Sequence, residues 1–236
     1  MTAWGAALIG ARVFSLVALA PFLGAQLPTS VRLALGWGLA VALWPLAAPA
    51  EAGPLLLAAL LIKEAAVGAA IGFVASLVFG AAYAAGRLAE TAGGLPGLAP
   101  AHRLLAVVLF FGIGGHRLVL AAFWRSYQVI PIETVPPIAT FGPAVALLAR
   151  LTADLIAVAL GLAAPVLAAT LLADLLASLV SRFAPEVAGH VMALPLRAVA
   201  TLGTLAAGTL LLARAMAGQV RAGDTATREL LRLFGP

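Results

Sequence analysis

Long apolar runs separated by short polar or Pro/Gly-rich breaks set the rhythm of this chain. Six runs can be drawn, over residues 3–27, 33–50, 65–86, 104–124, 151–180 and 191–213. Each is near the ~20 residues that a helix needs to cross the ~30 Å hydrocarbon core of a bilayer. The run 65–86 carries no charge. One face of the helix it predicts bears only Gly68, Gly72, Ser76, Gly80 and Ala84, each four positions after the last. Residues four apart lie on adjacent turns of one face, so the stripe lets another helix backbone come close. The chain then reads Thr91-Ala92-Gly93-Gly94-Leu95-Pro96-Gly97-Leu98-Ala99-Pro100, which predicts an irregular loop over residues 91–100. Apolar irregular backbone at membrane depth is stable only against protein or along a water-filled path. Gly93, Gly94, Leu95, Pro96 and Gly97 are therefore candidates for a gating loop, with a plain interhelical turn as the alternative.

Other breaks follow Pro and Gly. The first run holds Arg12 and Pro21 and stops at Leu27-Pro28-Thr29-Ser30. The second stops at Trp44-Pro45, with Pro49 and Pro54 beyond, and the fourth is interrupted by Gly114-Gly115-His116-Arg117. Pro131, Pro136, Pro137 and Pro143 make residues 126–143 extended or turn-rich. Pro165, in the middle of the fifth run, predicts a kink. These features predict an all-α, polytopic membrane protein of about six hydrophobic helical segments, some kinked. Residues 1–213 form a single membrane-embedded domain in this reading. Residues 214–236 form a polar, partly amphipathic tail with Leu230, Leu231, Leu233 and Phe234 near its end.

Composition agrees. The chain is 64% hydrophobic and 10% charged, with a mean hydropathy of +1.12. Soluble domains are nearer half apolar and a quarter charged. A net charge of +5 and a pI of 11.0 raise the question of nucleic acid. The arginines stand singly between apolar runs, without a basic stripe, which excludes that partner class. Absence of cysteine removes disulfides, thiolate chemistry and Cys-ligated metals. The first charge, Arg12, is already inside an apolar run, so the N-terminus does not read as a secretory signal. An even number of spans puts both termini on one side, and the four arginines of the tail place the C-terminus in the cytoplasm. Other loops carry one or two Lys or Arg on both sides. Either the orientation is weakly set, or the runs are not six ordinary spans.

Ionisable groups at bilayer depth are costly and so are functional candidates. Lys63 and Glu64 project about 100° apart on a helix and do not pair well. Each is expected to need a partner elsewhere, unless the two form an interfacial pair at a helix start. Arg150 and Asp154, four apart, are expected to pair on one face. Asp174, Ser178 and Arg182 follow at four-residue steps, with Asp174 and Arg182 roughly 12 Å apart. Glu64, Asp174 and Arg182 are thus candidate buried polar groups for inter-helix or inter-subunit contacts, with a proton relay as the alternative for Asp174 and Arg182. His116 reads as a packing residue or as a group titrating near neutral pH. Arg125 and Arg197, at run ends, are expected to snorkel. No His-Glu-x-x-His helix, Gly-x-Ser-x-Gly elbow or Gly-x-x-x-x-Gly-Lys loop occurs, and Asp154 and Asp174 lack metal-ligand spacing. Neither catalysis nor a cofactor is expected.

An ordered set of landmarks resembles the FliR/SctT family of inner-membrane components of flagellar and virulence type III protein export. They begin with Arg12-Val13-Phe14, Pro21-Phe22, Pro28, Val31-Arg32, Glu64, Gly68, Gly72-Phe73 and Ala85-Gly86. Phe110-Phe111, Gly114-Gly115-His116, Ser126-Tyr127 and Pro131 follow, then Ala164-Pro165-Val166, Asp174, Ser181-Arg182-x-x-Pro185 and Pro195-Leu196-Arg197. The resemblance implies helices packed as hairpins, much of the assembly lying above the usual membrane plane. It also implies a hetero-oligomer with other export-gate subunits around a narrow pore, exported polypeptides and membrane lipid as partners, and a plug-like loop at residues 91–100. Two departures stand out. The loop is shorter than in most relatives and lacks their polar middle. Glu186 and Ala188 replace the Gln and Asn that often follow Pro185. Without the resemblance, a small-molecule or ion transporter remains open on the strength of Asp154, Asp174, Arg182 and Pro165.

Overall fold

The computed structural model describes residues 3–24, 27–46, 53–183 and 193–234. Among the described residues there are eight α-helices and no strand. They are α1 (Ala3–Leu19), α2 (Pro21–Gly24), α3 (Thr29–Ala42), α4 (Pro54–Gly93), α5 (Leu98–Gly112), α6 (Gly115–Val129), α7 (Phe141–Phe183) and α8 (Ala193–Phe234). Three helices far exceed one span: α4 has 40 residues, α7 has 43 and α8 has 42. At 1.5 Å per residue each is ~60–65 Å long. These three, and the pair α5–α6 broken at Gly114, are long and apolar enough to cross a membrane, while α1 and α3 are shorter apolar helices. The chain is an all-α polytopic membrane protein.

The apolar runs fall on these helices in order, but their bounds change. Pro54 opens α4, where its fixed φ and missing N–H cost nothing. Lys63 and Glu64 therefore lie more than two turns inside the helix and not at its start. Residues 91–93 and 98–100 are helical, which shortens the expected loop to residues 94–97. Gly94 and Gly97 hold φ of 65° and 94° there, a left-handed backbone that suits glycine. Pro165 lies inside α7 without ending it. The tail is not a separate element either: α8 continues unbroken to Phe234, through strong helix formers such as Ala, Leu, Arg, Met and Gln. Pro49, Pro185, Glu186 and Ala188 lie outside the described residues.

The chain gathers into two compact units, Met1–Leu77 with Gly114–Thr152 and Val220–Pro236, and Val78–Ile113 with Ala153–Gln219. In the first, α1 buries Leu8, Ile9, Val13, Leu16 and Val17 along one stripe. Pro21 cannot donate a hydrogen bond back to α1. Arg32 of α3 supplies the missing donor, with Nη2 at 3.2 Å from the Ala18 carbonyl and 3.5 Å from that of Val17. In the second, α4 and α5 form a tight hairpin. A Cβ added at Gly86 would lie 2.8 Å from Ala99 Cα and 2.9 Å from His102 Cβ, so the backbones nearly touch. Glu90 Oε2 accepts the Ala99 N–H at 3.0 Å, satisfying a free donor in the first turn of α5. Phe79 and Phe110 pack across the hairpin with ring centroids 4.9 Å apart.

Candidate functional site

The small-residue stripe on α4 brings α1 against it. A Cβ at Gly68 would overlap the Arg12 carbonyl oxygen and Ser15 Oγ. At Gly72 it would sit 3.0 Å from both the Leu16 carbonyl oxygen and Leu19 Cβ. Further along, in the second unit, Gly80 faces Leu155 Cδ1 of α7 at 2.9 Å. Ser76 turns inward on its own helix and donates to the Phe73 carbonyl at 2.7 Å. The stripe thus serves two crossings within the chain, α1 first and α7 second.

Close approach of α1 carries the Arg12 side chain to Glu64, one turn before Gly68. Arg12 and Glu64 are fully buried, and Lys63 is 3% exposed. Arg12 grips the carboxylate with two donors, Nε to Oε2 and Nη2 to Oε1, the latter at 2.8 Å. Such a fork is the strongest form of Arg–carboxylate contact. Nη1 donates to Ser126 Oγ at 3.1 Å and Nη2 to the Ile130 carbonyl at 3.0 Å. The guanidinium carbon lies 4.2 Å from the centre of the Tyr127 ring, within cation–π range. The Ser126 hydroxyl in turn donates a hydrogen bond to the Phe123 carbonyl at 2.6 Å.

Lys63 completes the network. Its Nζ donates to the carbonyls of Pro131, Ile132 and Thr134 at 2.8, 2.9 and 2.9 Å, and lies 2.7 Å from Glu64 Oε1. Adjacent lysine and glutamate do pair here, against the expectation from their angle on the helix. The flexible four-carbon stem of Lys63 lets its tip swing back to the carboxylate while the carbonyls after α6 hold it there. Two cations thus share one anion, and the leftover positive charge faces the carbonyl dipoles of residues 130–134. Those carbonyls sit at the negative end of α6. This network joins α1, α4, α6 and the turn after α6 into one buried ion lock. The charged groups of the lock are spent on one another and on main-chain carbonyls, an arrangement that holds structure, while the buried Tyr127 hydroxyl takes no hydrogen bond among the described residues.

The other candidates are placed differently. Asp174 pairs with Arg197 of α8 and not with a group on its own helix, and the two side chains are 38% and 39% exposed. Arg197 is therefore an inter-helix partner where snorkelling was expected. Arg182 is exposed, not buried, and takes no ion pair among the described residues. Arg150 and Asp154 are both exposed and form no ion pair among the described residues. His116 is half-buried at the start of α6. Gly93 belongs to α4 and packs on Thr201 of α8, where an added Cβ would lie 2.8 Å from Cγ2. The turn itself is residues 94–97, with Leu95 half-buried between its glycines.

The profile of the family described as "Bacterial export proteins, family 1" matches residues 3–222. The chain belongs to that family. It is a membrane protein of bacterial protein export. No curated protein matches it. The matched stretch takes in all the residues of the ion lock and the Asp174–Arg197 pair, and ends before Arg228 and Arg232. Sequence reasoning singled out Glu64 in this export protein but missed that Arg12, Ser126 and the 130–134 carbonyls converge on it. The available signal was charge: Arg12 stands alone in an apolar run and Glu64 borders another, and two such groups of opposite sign are natural partners.

Proposed function

We propose that the chain is a subunit of a type III protein export gate in the bacterial inner membrane, serving a flagellum or a virulence secretion system. It forms part of the wall beside the path of unfolded export substrates, in a hetero-oligomer with other membrane subunits, with its C-terminus in the cytoplasm. The observation that carries this reading is the contrast between its long helices. In its most apolar stretch α4 has 61% of residues buried, whereas α7 has 22% and α8 has 11%. On α7, Asp174, half-exposed in its pair with Arg197 of α8, stands beside Leu171, Leu172, Leu175 and Leu176, all exposed. A charge pair set toward lipid is costly. The same pair against the polar groups of neighbouring subunits is not, and such neighbours would cover the leucines as well.

Purification in mild detergent tests the proposal: the chain is expected in a large complex with other membrane subunits. Asp174→Asn strands Arg197 and is expected to shift the chain from complex to free subunit, while the total amount in the membrane changes little. The second reading, a small-molecule or ion transporter, draws on Asp154, Asp174, Arg182 and the break expected at Pro165. Asp174 already has Arg197, and α7 is continuous through Pro165. An Asp174→Asn chain that assembles fully yet loses proton-driven transport would favour the transporter.

Within the gate, the turn at 94–97 fits a fixed connector better than a moving plug. The Glu90 hydrogen bond and the close Gly86 contact both hold Ala99, just after the turn, against α4. Leu95→Ser is expected to leave the barrier to small ions unchanged in a membrane conductance assay. A rise in leak without loss of assembly would give closure of the path to Leu95 after all.

A further inference from the structure

Three arginines converge where α6 and the end of α8 meet in the first unit. Arg125, Arg228 and Arg232 surround a cleft of about 230 Å³ whose remaining lining is Val129 and Leu231. Leu231 is buried, and so is its neighbour Leu230, so the apolar floor is packed and fixed. Asp224 neutralises one arginine, with Oδ2 2.8 Å from Arg228 Nη2. Arg125 and Arg232 take no ion pair among the described residues. Glu229, next to Arg228 along α8, is exposed and does not line the cleft. The cleft thus holds two uncompensated guanidinium groups above an apolar base. Each guanidinium offers a planar fork that matches the oxygens of a phosphate. Beside Arg125, Trp124 is 47% exposed, an amphipathic ring of the kind found at membrane–water boundaries.

We propose that this cleft binds the phosphodiester headgroup of an anionic membrane lipid. The arginines hold the phosphate oxygens, and Val129 and Leu231 receive the first carbons of the glycerol and acyl region. Basic pockets between membrane helices are suited to such headgroups, because the charge is concentrated where water is partly excluded. A free inorganic anion would use only the arginines, and an acidic side chain from another protein would not need a membrane. The choice of lipid follows from the apolar floor, the exposed Trp124 and the membrane character of the chain.

The test uses the full-length chain in a nonionic detergent, with lipid binding read by native mass spectrometry. Dioleoylphosphatidylglycerol is expected to bind more tightly than dioleoylphosphatidylcholine. Arg125→Gln with Arg232→Gln should weaken the anionic lipid roughly 10- to 30-fold, as two phosphate contacts near a membrane predict. Arg150→Gln, an exposed arginine elsewhere, should change nothing. Asp224→Asn frees Arg228 and should tighten binding, which gives a variant of opposite sign that does not depend on losing a contact. Equal binding of the two lipids, or a double variant with unchanged preference, overturns the proposal. So does inorganic phosphate that displaces the lipid at equal concentration, which would mark a free-anion site. A double variant that keeps its lipid but loses co-purifying membrane proteins would make the cleft a protein contact and also overturn it.

Discussion

Glu64→Gln is expected to destabilise the chain by about 3–5 kcal/mol, the usual penalty for stranding one side of a buried ion pair. Arg12 and Lys63 both lean on this carboxylate, and all three groups are essentially out of contact with solvent. Glutamine keeps the shape and one acceptor, but its amide presents donors to two cations already crowded with donors. The chain should accumulate poorly in the membrane, and the fraction that folds should melt well below the wild type in detergent. A double variant, Arg12→Gln with Glu64→Gln, separates the interaction from its surroundings. Its loss should be clearly smaller than the sum of the two single losses, because the second change removes a charge that the first left stranded. Equal melting of Glu64→Gln and the wild type would refute the lock.

Gly68→Leu should have a loss of similar size by another route. Overpacking by itself costs ~1–3 kcal/mol. Here the obstacle is the Arg12 carbonyl, backbone of a packed helix, and it can yield only if α1 moves away. That movement draws the Arg12 side chain out of reach of Glu64, so the lock is lost with the packing. Gly112 and Gly203 are fair controls, since a Cβ at either meets nothing within 4 Å. Leu at those positions should leave the melting temperature near that of the wild type. The readout that matters is the amount of folded chain, because the stripe packs on α1 of the same molecule. Normal amounts of folded Gly68→Leu chain with lost complex would place a second protein on the stripe instead.

How far the sequence revealed this differs between features. Membrane class and order of helices were legible because apolar runs and Pro/Gly breaks act locally, residue by residue. The close-packing role of Gly68 and Gly72 was legible for the same reason, since a four-residue period needs no partner to be seen. Which helix fills the groove was not, because that choice rests on α1, more than fifty residues away. The lock was half legible. Glu64 stood out as a charge at the edge of an apolar run, but its contacts with Arg12 span 52 residues and those of Arg12 with Ile130 span 118. Main-chain carbonyls as partners of Lys63 leave no trace in the sequence beyond the prolines that keep residues 131–137 from becoming helix. The loop at 91–100 was overdrawn because Gly93 looked like a breaker, whereas close packing on Thr201 gives its lack of a side chain another purpose. Asp174 was expected to find a partner on another helix or subunit, but nothing in the sequence named it, and the observed partner, Arg197, comes from the next helix.

The ion lock also bears on how the protein is made. Arg12 leaves the ribosome long before the groups that neutralise it. At ~5–20 residues per second, the 118 residues between Arg12 and Ile130 take roughly 6–24 s to synthesise. Over that time, a first helix threaded on its own into hydrocarbon would hold an unmatched guanidinium, at about 2.5–3.5 kcal/mol near the helix centre. Early insertion of α1 alone is therefore unfavourable. The N-terminal segment is expected to wait at the headgroup layer, or beside the insertion machinery, until α4 and the turn after α6 have been delivered. Topogenesis of this chain is then concerted, its first helix among the last to settle.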